Sequence, residues 1–275
     1  MTPVTLRVRR AAVLFCLVSL VSCLVSGPPA AAQLPAKAFK LRWYGQSFFQ
    51  LETPAGKKVV FDPHAIPEFN RTQVVSADII ICTHLHNDHA QPEVVEGYKA
   101  ARVFHGLKEK GKARTPDWNK IDEKVGGIQI RNLGTYHDAE NGMVRGKNSV
   151  FVVTAEGLTV CHLGDLGHEL SPEQVKAIGP VDVLLVPVGG VYTINGETAR
   201  RVVAAVKPRR FVVPMHYGLP GYDDLLPVDE FLDGLSNVKK LPHTNELVIP
   251  PGAAAGEAPA VVVLAPKPGE TAPKK

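Results

Sequence analysis

Cysteine is scarce in this chain of 275 residues: there are four, and two of them, Cys16 and Cys23, fall within the first 32 positions. Cys82 and Cys161 remain, each on an apolar run, so no disulfide framework can be the basis of the fold. An exported protein could join that pair, but two strand-buried thiols are the simpler reading. Blocks of lysine and arginine are missing too. Removing the three arginines of residues 1–32, which hold no acid, lowers the formal charge from +4 to +1. A nearly neutral chain without basic clusters carries no electrostatic footprint for nucleic acid. The apolar run from Ala11 to Val25 is too short for a comfortable membrane span. No internal repeat and no linker stand out, so residues 33–265 read as one large α/β domain.

The first 32 residues have a different character. Arg7, Arg9 and Arg10 precede the apolar run, and Ala30-Ala31-Ala32 precedes Gln33: a charged segment, an apolar segment and a small-residue cleavage site. That order predicts export, with cleavage near Ala32 and a periplasmic or secreted product with no stable membrane insertion. Leu20-Val21-Ser22-Cys23 resembles a bacterial lipoprotein processing site, which would leave Cys23 lipidated, and an uncleaved leader would leave an anchor. At the other end, Pro266 to Lys275 is rich in proline, lysine and alanine, buries little and is expected to be disordered.

The chemistry is concentrated in Thr83-His84-Leu85-His86-Asn87-Asp88-His89, which closes the apolar run Asp78 to Cys82. That run reads as a buried strand. Three imidazoles and a carboxylate within six residues make a poor core and a good metal site. If strand geometry persists, His84 and His86 share a face, while Asp88 and His89 lie past it and can face a neighbouring point, which suggests two adjacent ions. Further partners stand at the ends of other apolar runs: His137 after Ile128 to Arg131, Asp165 after Leu158 to Cys161, and His216 after Phe211 to Met215. Carboxyl ends of strands are where sites sit in α/β folds.

His-x-His-x-Asp-His, a distant His, Gly164-Asp165 and a last His resemble the metallo-β-lactamase superfamily of metal-dependent hydrolases. Arg145 to Ser149, Cys161 to His168, Asp182 to Ile194 and Pro214 to Tyr217 are similar to its branch of ascorbate-6-phosphate lactonase-like proteins. The resemblance covers about residues 40 to 250. It implies a four-layer αββα sandwich of two mixed β-sheets flanked by helices. It also implies two divalent metal ions, with His84, His86 and His137 on one, Asp88, His89 and His216 on the other, and Asp165 between them. Such a donor set suits Zn2+ and leaves Mn2+ or Fe2+ open at the second position. Asp88 and Asp165 are then the catalytic carboxylates. The implied reaction is attack by a metal-bound hydroxide on an ester, lactone, amide or phosphodiester bond of a small molecule. A non-catalytic metal- or ligand-binding protein of the same fold, or a true β-lactamase, are the alternatives.

Other residues are secondary candidates. Asp62, in Phe61-Asp62-Pro63, is expected to support the metal site from behind. Gln46 stands where relatives often carry histidine, which puts a supporting role there in doubt. Tyr192, His168 and Asn148 are candidate substrate contacts, with Lys147 a further candidate for an anionic group. His64 reads as a surface or packing residue, not a ligand, and His162 as structural. The charged stretch Lys108 to Asp122 reads as a surface loop that could overhang the site. Helices are expected from Pro92 to Ala101, after the cap Ser171-Pro172-Glu173-Gln174, and from Ala199 to Val206.

Overall fold

A computed structural model describes residues 1–2, 38–69, 74–109, 116–252 and 258–266. The leader of residues 1–32, the Cys23 site and positions 267–275 of the tail lie outside the described residues, apart from Met1 and Thr2. All regular elements belong to the compact unit Pro35–Lys275.

The alternating segment at the start forms three short strands, β1 (Phe39–Trp43), β2 (Phe49–Glu52) and β3 (Lys58–Phe61), paired antiparallel as their tight turns require. β4 (Ile79–Cys82) and β5 (Arg102–His105) add in parallel, and β13 (Glu246–Ile249) closes the other edge of this six-stranded sheet. The second sheet has eight strands. β6 (Asp122–Val125), β7 (Ile128–Tyr136), β8 (Lys147–Ala155) and β9 (Leu158–His162) form an antiparallel run. β10 (Val183–Pro187), β11 (Phe211–Met215), β14 (Ala260–Leu264) and β12 (Val238–Leu241) continue it in parallel. Both sheets are therefore mixed.

The fully apolar β4 shows why it must be covered on both sides. Ile79 and Ile81 enter the main core, with Trp43, Phe49 and Phe61 on one hand and Phe151 and Val153 of the second sheet on the other. Ile80 and Cys82, one residue out of phase, enter a smaller cluster with Tyr44, Phe48 and Val95. Helices α1 (Pro172–Ile178), α2 (Gly196–Val206) and α3 (Asp229–Leu232) join the main core through Ile178, Ala199, Val202 and Phe231. α1 starts on the Ser171 capping box with Pro172 in its first turn, as expected. α2 begins three residues earlier than its apolar pattern, because Asn195 caps it.

The helix expected from Pro92 to Ala101 does not form. Two single 3-10 turns, Pro92–Val94 and Tyr98–Ala100, take its place. Gln91 supplies no side-chain cap, Glu96 N–H donates to Val75 O and draws the chain out, and Gly97 adopts a left-handed φ of 70°. β12 escaped the sequence reading because Lys239 and Lys240 interrupt its pattern at an exposed edge. Among the described residues no helix is long and apolar enough to cross a membrane.

Asp62, Thr83, His137, Gly164, Gly189 and His216 each lie one or two residues beyond the carboxyl end of β3, β4, β7, β9, β10 or β11. The two sheets thus deliver their polar termini to one rim.

Candidate metal centre

The strand does not persist through the histidines. β4 ends at Cys82, and residues 83–89 bend and turn, with His89 and Ala90 N–H both donating to His86 O at 3.0 and 3.1 Å. The bend is fixed by Asp62, which is fully buried with φ +43°. Its Oδ1 accepts the Thr83 N–H (2.7 Å) and its Oδ2 the Thr83 hydroxyl (2.7 Å). Asp62 Oδ2 also lies 2.8 Å from His89 Nδ1, and Thr83 Oγ1 lies 3.0 Å from His84 Nδ1. With the hydroxyl proton already on Asp62, Thr83 accepts from His84. One carboxylate therefore sets both ring orientations, turning Nε2 of His84 and His89 toward the centre, where each is free to bind a cation once it carries no proton. The support expected of Asp62 is present.

The partners expected from elsewhere converge here. Nε2 atoms of His137, His89 and His216 lie 3.0, 3.1 and 3.2 Å from Asp165 Oδ2, and His84 Nε2 lies 3.8 Å away. His84 Nε2 faces His86 Nδ1 at 3.1 Å, and Asp88 Oδ2 is 3.3 Å from His89 Nε2. All seven predicted ligands fall into two groups, His84/His86/His137 and Asp88/His89/Asp165/His216, whose donor atoms lie within 4.8 Å of one another. Neighbouring ligands on a tetrahedral zinc with bonds of about 2.0–2.1 Å stand roughly 3.3 Å apart. Nitrogens paired face to face, with buried His89 Nε2 and Asp165 Oδ1 lacking any hydrogen-bond partner, are what a bound cation would satisfy. The residues fit a metal.

Close packing holds these ends together. Gly164, at φ +54°, passes so near Asn148 Oδ1 and Thr83 that a Cβ would sit 2.4 and 2.9 Å from them. His216 takes a φ of +52° and donates its N–H to Gln46 O at 3.1 Å. Gln46, Asp62, Val191 and His216, all in or beside the site, are four of the seven non-glycine residues at positive φ among the described residues, a concentration of strain typical of functional sites.

Burial pushes the His84 pKa well down, with His89 adding to it, and burial with His137 lowers that of His86. Burial opposes ionisation of Asp165 and Asp88, yet the surrounding imidazoles hold both carboxyls well below the usual range. Neutral histidine and ionised carboxylate are the forms that bind metal. Cys82 and Cys161 are free and buried, and burial pushes the Cys161 thiol up to about 12, so neither is a ligand or nucleophile.

The secondary candidates divide. Tyr192 lines the cleft above the centre. Asn148 is fully buried and touches no open space: its Nδ2 donates to Thr135 Oγ1 (2.9 Å) and Leu163 O (2.8 Å), and its Oδ1 accepts from Asp165 N (3.1 Å). It orients Asp165 and is not a substrate contact. His168 is also withdrawn, since Nε2 accepts the Tyr136 N–H (3.1 Å) and Nδ1 lies 2.7 Å from Glu169 O. Lys147 pairs with Asp117 at 2.8 Å and covers the Trp118 ring. Trp118 itself donates to Asn148 O at 2.7 Å, so the described part of the Lys108–Asp122 loop braces β8 instead of overhanging the site; positions 110–115 lie outside the described residues. His162 stacks on Phe61 and lies 2.9 Å from Ser47 O, and His64 is buried edge-on against Phe48, both packing residues.

Two residues gained importance. Gln46, doubted on sequence, donates Nε2 to Asp88 Oδ2 at 3.2 Å and positions that carboxylate. Arg145 lines the cleft. Its presence in the run Arg145-Gly146-Lys147-Asn148 was visible, but which of three polar neighbours faces the cleft depends on the loop that Asp138 organises.

A family model described as a beta-lactamase superfamily domain matches residues 40–216. A UPF0173 metal-dependent hydrolase of Pyrococcus abyssi is 31% identical over 196 residues, covering 65% of this chain and 84% of the relative. A counterpart from Thermoplasma acidophilum is 30% identical, with 65% and 83% covered. The crystal structure of a candidate zinc-dependent hydrolase of the metallo-beta-lactamase superfamily from Thermotoga maritima superposes with a TM-score of 0.59. It is 34% identical, covering 82% of this chain and 98% of that one. A metallo-hydrolase from Ignicoccus hospitalis, 19% identical, shares the fold with a TM-score of 0.54 over 78% of this chain and 99% of its own.

Proposed function

This chain belongs to the metallo-β-lactamase superfamily of metal-dependent hydrolases, and from that premise we propose that it holds two divalent ions, zinc by preference, to hydrolyse an ester, lactone, amide or phosphodiester bond. The observation that carries the reading is the position of Asp165, whose Oδ2 lies within 3.0 to 3.2 Å of histidines from both ligand groups. A carboxylate so placed can bridge. When bound, the ions supply an acidified water as nucleophile and positive charge against the oxygen of the attacked bond.

The protein's own part is placement. Asp62 turns Nε2 of His84 and His89 toward the centre, Asn148 holds the Asp165 backbone, and Gln46 holds Asp88 at the cleft floor. Asp88 stays ionised beside His89, so it orients a water and accepts a hydrogen bond from it. Imidazole-rich donors favour Zn2+, and the carboxylates of the second group also admit Mn2+ or Fe2+. We further infer from the arginine, apolar and alanine order of residues 1–32 that the chain is exported, and the Cys23 route would leave it lipid-anchored.

The test is a screen of the metal-reconstituted chain against lactones, esters, amides, phosphodiesters and β-lactams, with elemental analysis alongside. Close to two ions per chain and turnover of one bond class are expected, with Asp165→Ala losing more than about 100-fold, beyond the usual effect of an outer partner. A folded Asp165→Ala variant that turns over like wild type would sink the mechanism, and a chain that binds ions without any turnover would point to a binding protein.

A further inference from the structure

The cleft over the metal centre has a volume of about 460 Å3. The proposed ligands form its floor, and its wall is Val144, Arg145 and Tyr192. Among the described residues the carboxylates of that lining are Asp88 and Asp165 alone, both of which two divalent ions would more than neutralise. The wall adds a cation. Arg145 donates Nη2 to Val191 O at 2.8 Å and lies with its guanidinium 5.2 Å over the Tyr192 ring. A guanidinium carries five N–H donors, and among the described residues no carboxylate pairs with this one. Lys147, two positions on, is by contrast neutralised by Asp117.

Arg145 is held in advance of any ligand. Asp138 accepts backbone N–H groups from Glu140 (2.8 Å), Gly142 (2.8 Å), Val144 (3.1 Å) and Arg145 itself (2.6 Å), which freezes the loop. Across the cleft the turn after β10 is fixed by Thr193 N–H to Gly190 O (3.1 Å) and Ile194 N–H to Leu166 O (2.9 Å). Its Val191 has a φ of +55°, costly for a β-branched residue, and offers Arg145 the carbonyl it grips.

These two loops also carry apolar surface. Seven large hydrophobic side chains are exposed among the described residues, and five of them, Met143, Val144, Val191, Tyr192 and Leu226, lie on or against the two loops. Leu226 joins the group because its N–H donates to Gly189 O at 2.9 Å. An apolar rim around a polar floor marks a binding mouth.

We propose that the substrate is an anionic amphiphile: a carboxylate or phosphate pairs with Arg145, a short apolar body lies on Val144, Tyr192 and Leu226, and the scissile bond falls over the metal centre. The inference rests on the hydrolytic reading and narrows it to a substrate class. A planar fork with free donors recognises an oxyanion in two-point fashion, and the field of the cleft draws anions toward it.

The zinc-reconstituted protein is assayed on two para-nitrophenyl esters with six-carbon acyl chains, the hexanoate and the hydrogen adipate, which differ in a terminal carboxylate. Binding of octanoate, octanamide and acetate is measured separately by titration calorimetry, which needs no turnover. Wild type is expected to favour the adipate ester over the hexanoate, and octanoate over octanamide. Arg145→Ala shrinks both preferences roughly tenfold, the effect of a lost hydrogen bond to a charged group, and Arg145→Lys keeps part of them. Arg145→Gln, which retains a donor for Val191, gives the same answer should the alanine variant disturb the loop. Preferences equal in wild type and both uncharged variants overturn the inference while hydrolysis stands. No turnover of either ester, with octanoate binding that still depends on Arg145, overturns the bond class and supports the inference. Acetate binding as tightly as octanoate removes the apolar half and overturns the proposal as stated.

Discussion

His84, His86 and His137 form one half of the proposed two-ion centre and Asp88, His89, Asp165 and His216 the other, and the halves are supported unequally. In the second half His89 leans on Asp62, Asp88 on Gln46, and the Asp165 backbone on Asn148. Three of its four members are buried, although buried His216 Nδ1 has no hydrogen-bond partner. In the first half His84 is braced through Thr83, His86 is exposed at the cleft, and buried His137 Nδ1 has no hydrogen-bond partner. Ligands held by outer partners retain metal, and ligands left to themselves pay to be ordered. The second half, with three of four members braced against one of three in the first, is accordingly the more firmly held.

Substituting one histidine from each half tests this most strongly. His89→Ala leaves the Asp62 carboxylate buried opposite a void, which costs about 3 kcal/mol and, for a domain of this size, lowers Tm by on the order of 10 °C. His86→Ala sits at the exposed edge and is expected to shift Tm by about 2 °C or less while lowering metal content. Scanning calorimetry of the chelator-treated variants decides it, and the reverse ranking would break the comparison. Asp62→Asn asks instead whether the halves share a root. Because Asp62 sets His89 directly and His84 through Thr83, affinity for both ions should fall about 10- to 100-fold in chelator competition. A loss confined to one ion would separate the halves at their base.

How much of this the sequence disclosed follows from what kind of force fixes each part. The strands β4, β10 and β11 are legible because runs such as Ile79 to Cys82 and Val183 to Pro187 must be covered on both faces, and covering forces their polar successors to the rim. Most of the seven candidate ligands were legible for the same reason, while His137 follows the alternating, half-buried β7 and stood out by its place at a strand end. Tertiary effects were not. Lys147 and Asn148 look alike on paper as consecutive polar residues after Gly146, and only the pairing of β7 with β8 turns Asn148 inward to Thr135 and Lys147 toward Asp117. Gln46 was discounted because it departs from a family pattern, yet an amide nitrogen reaches Asp88 as an imidazole could. The missing helix at Pro92 to Ala101 was a local misreading, in which a good first residue outweighed Gly97.

The finest distinction between the halves is how each exchanges protons for metal. In the metal-free chain burial would lower the His89 pKa, but Asp165, Asp88 and Asp62 raise it well above the ordinary value. A raised folded pKa means that this pairing stabilises the fold fully below about pH 6.5, where the unfolded imidazole titrates, and is lost as pH rises through the folded value. The carboxylates thus favour a proton on His89 in the metal-free chain, and an ion entering the second half must displace it. His84 is driven the other way by burial and by His89, and His86 by burial and His137, so neither is biased toward a proton. Loading the second half should release about one proton and weaken roughly tenfold per unit of acidification, while the first half holds its affinity over the same range. Calorimetric titrations in two buffers of different ionisation enthalpy read the count directly, and His89→Gln should abolish it. Equal proton release for both equivalents of metal would show that the carboxylates do not single out His89, and the unequal support of the two halves would then have no electrostatic counterpart.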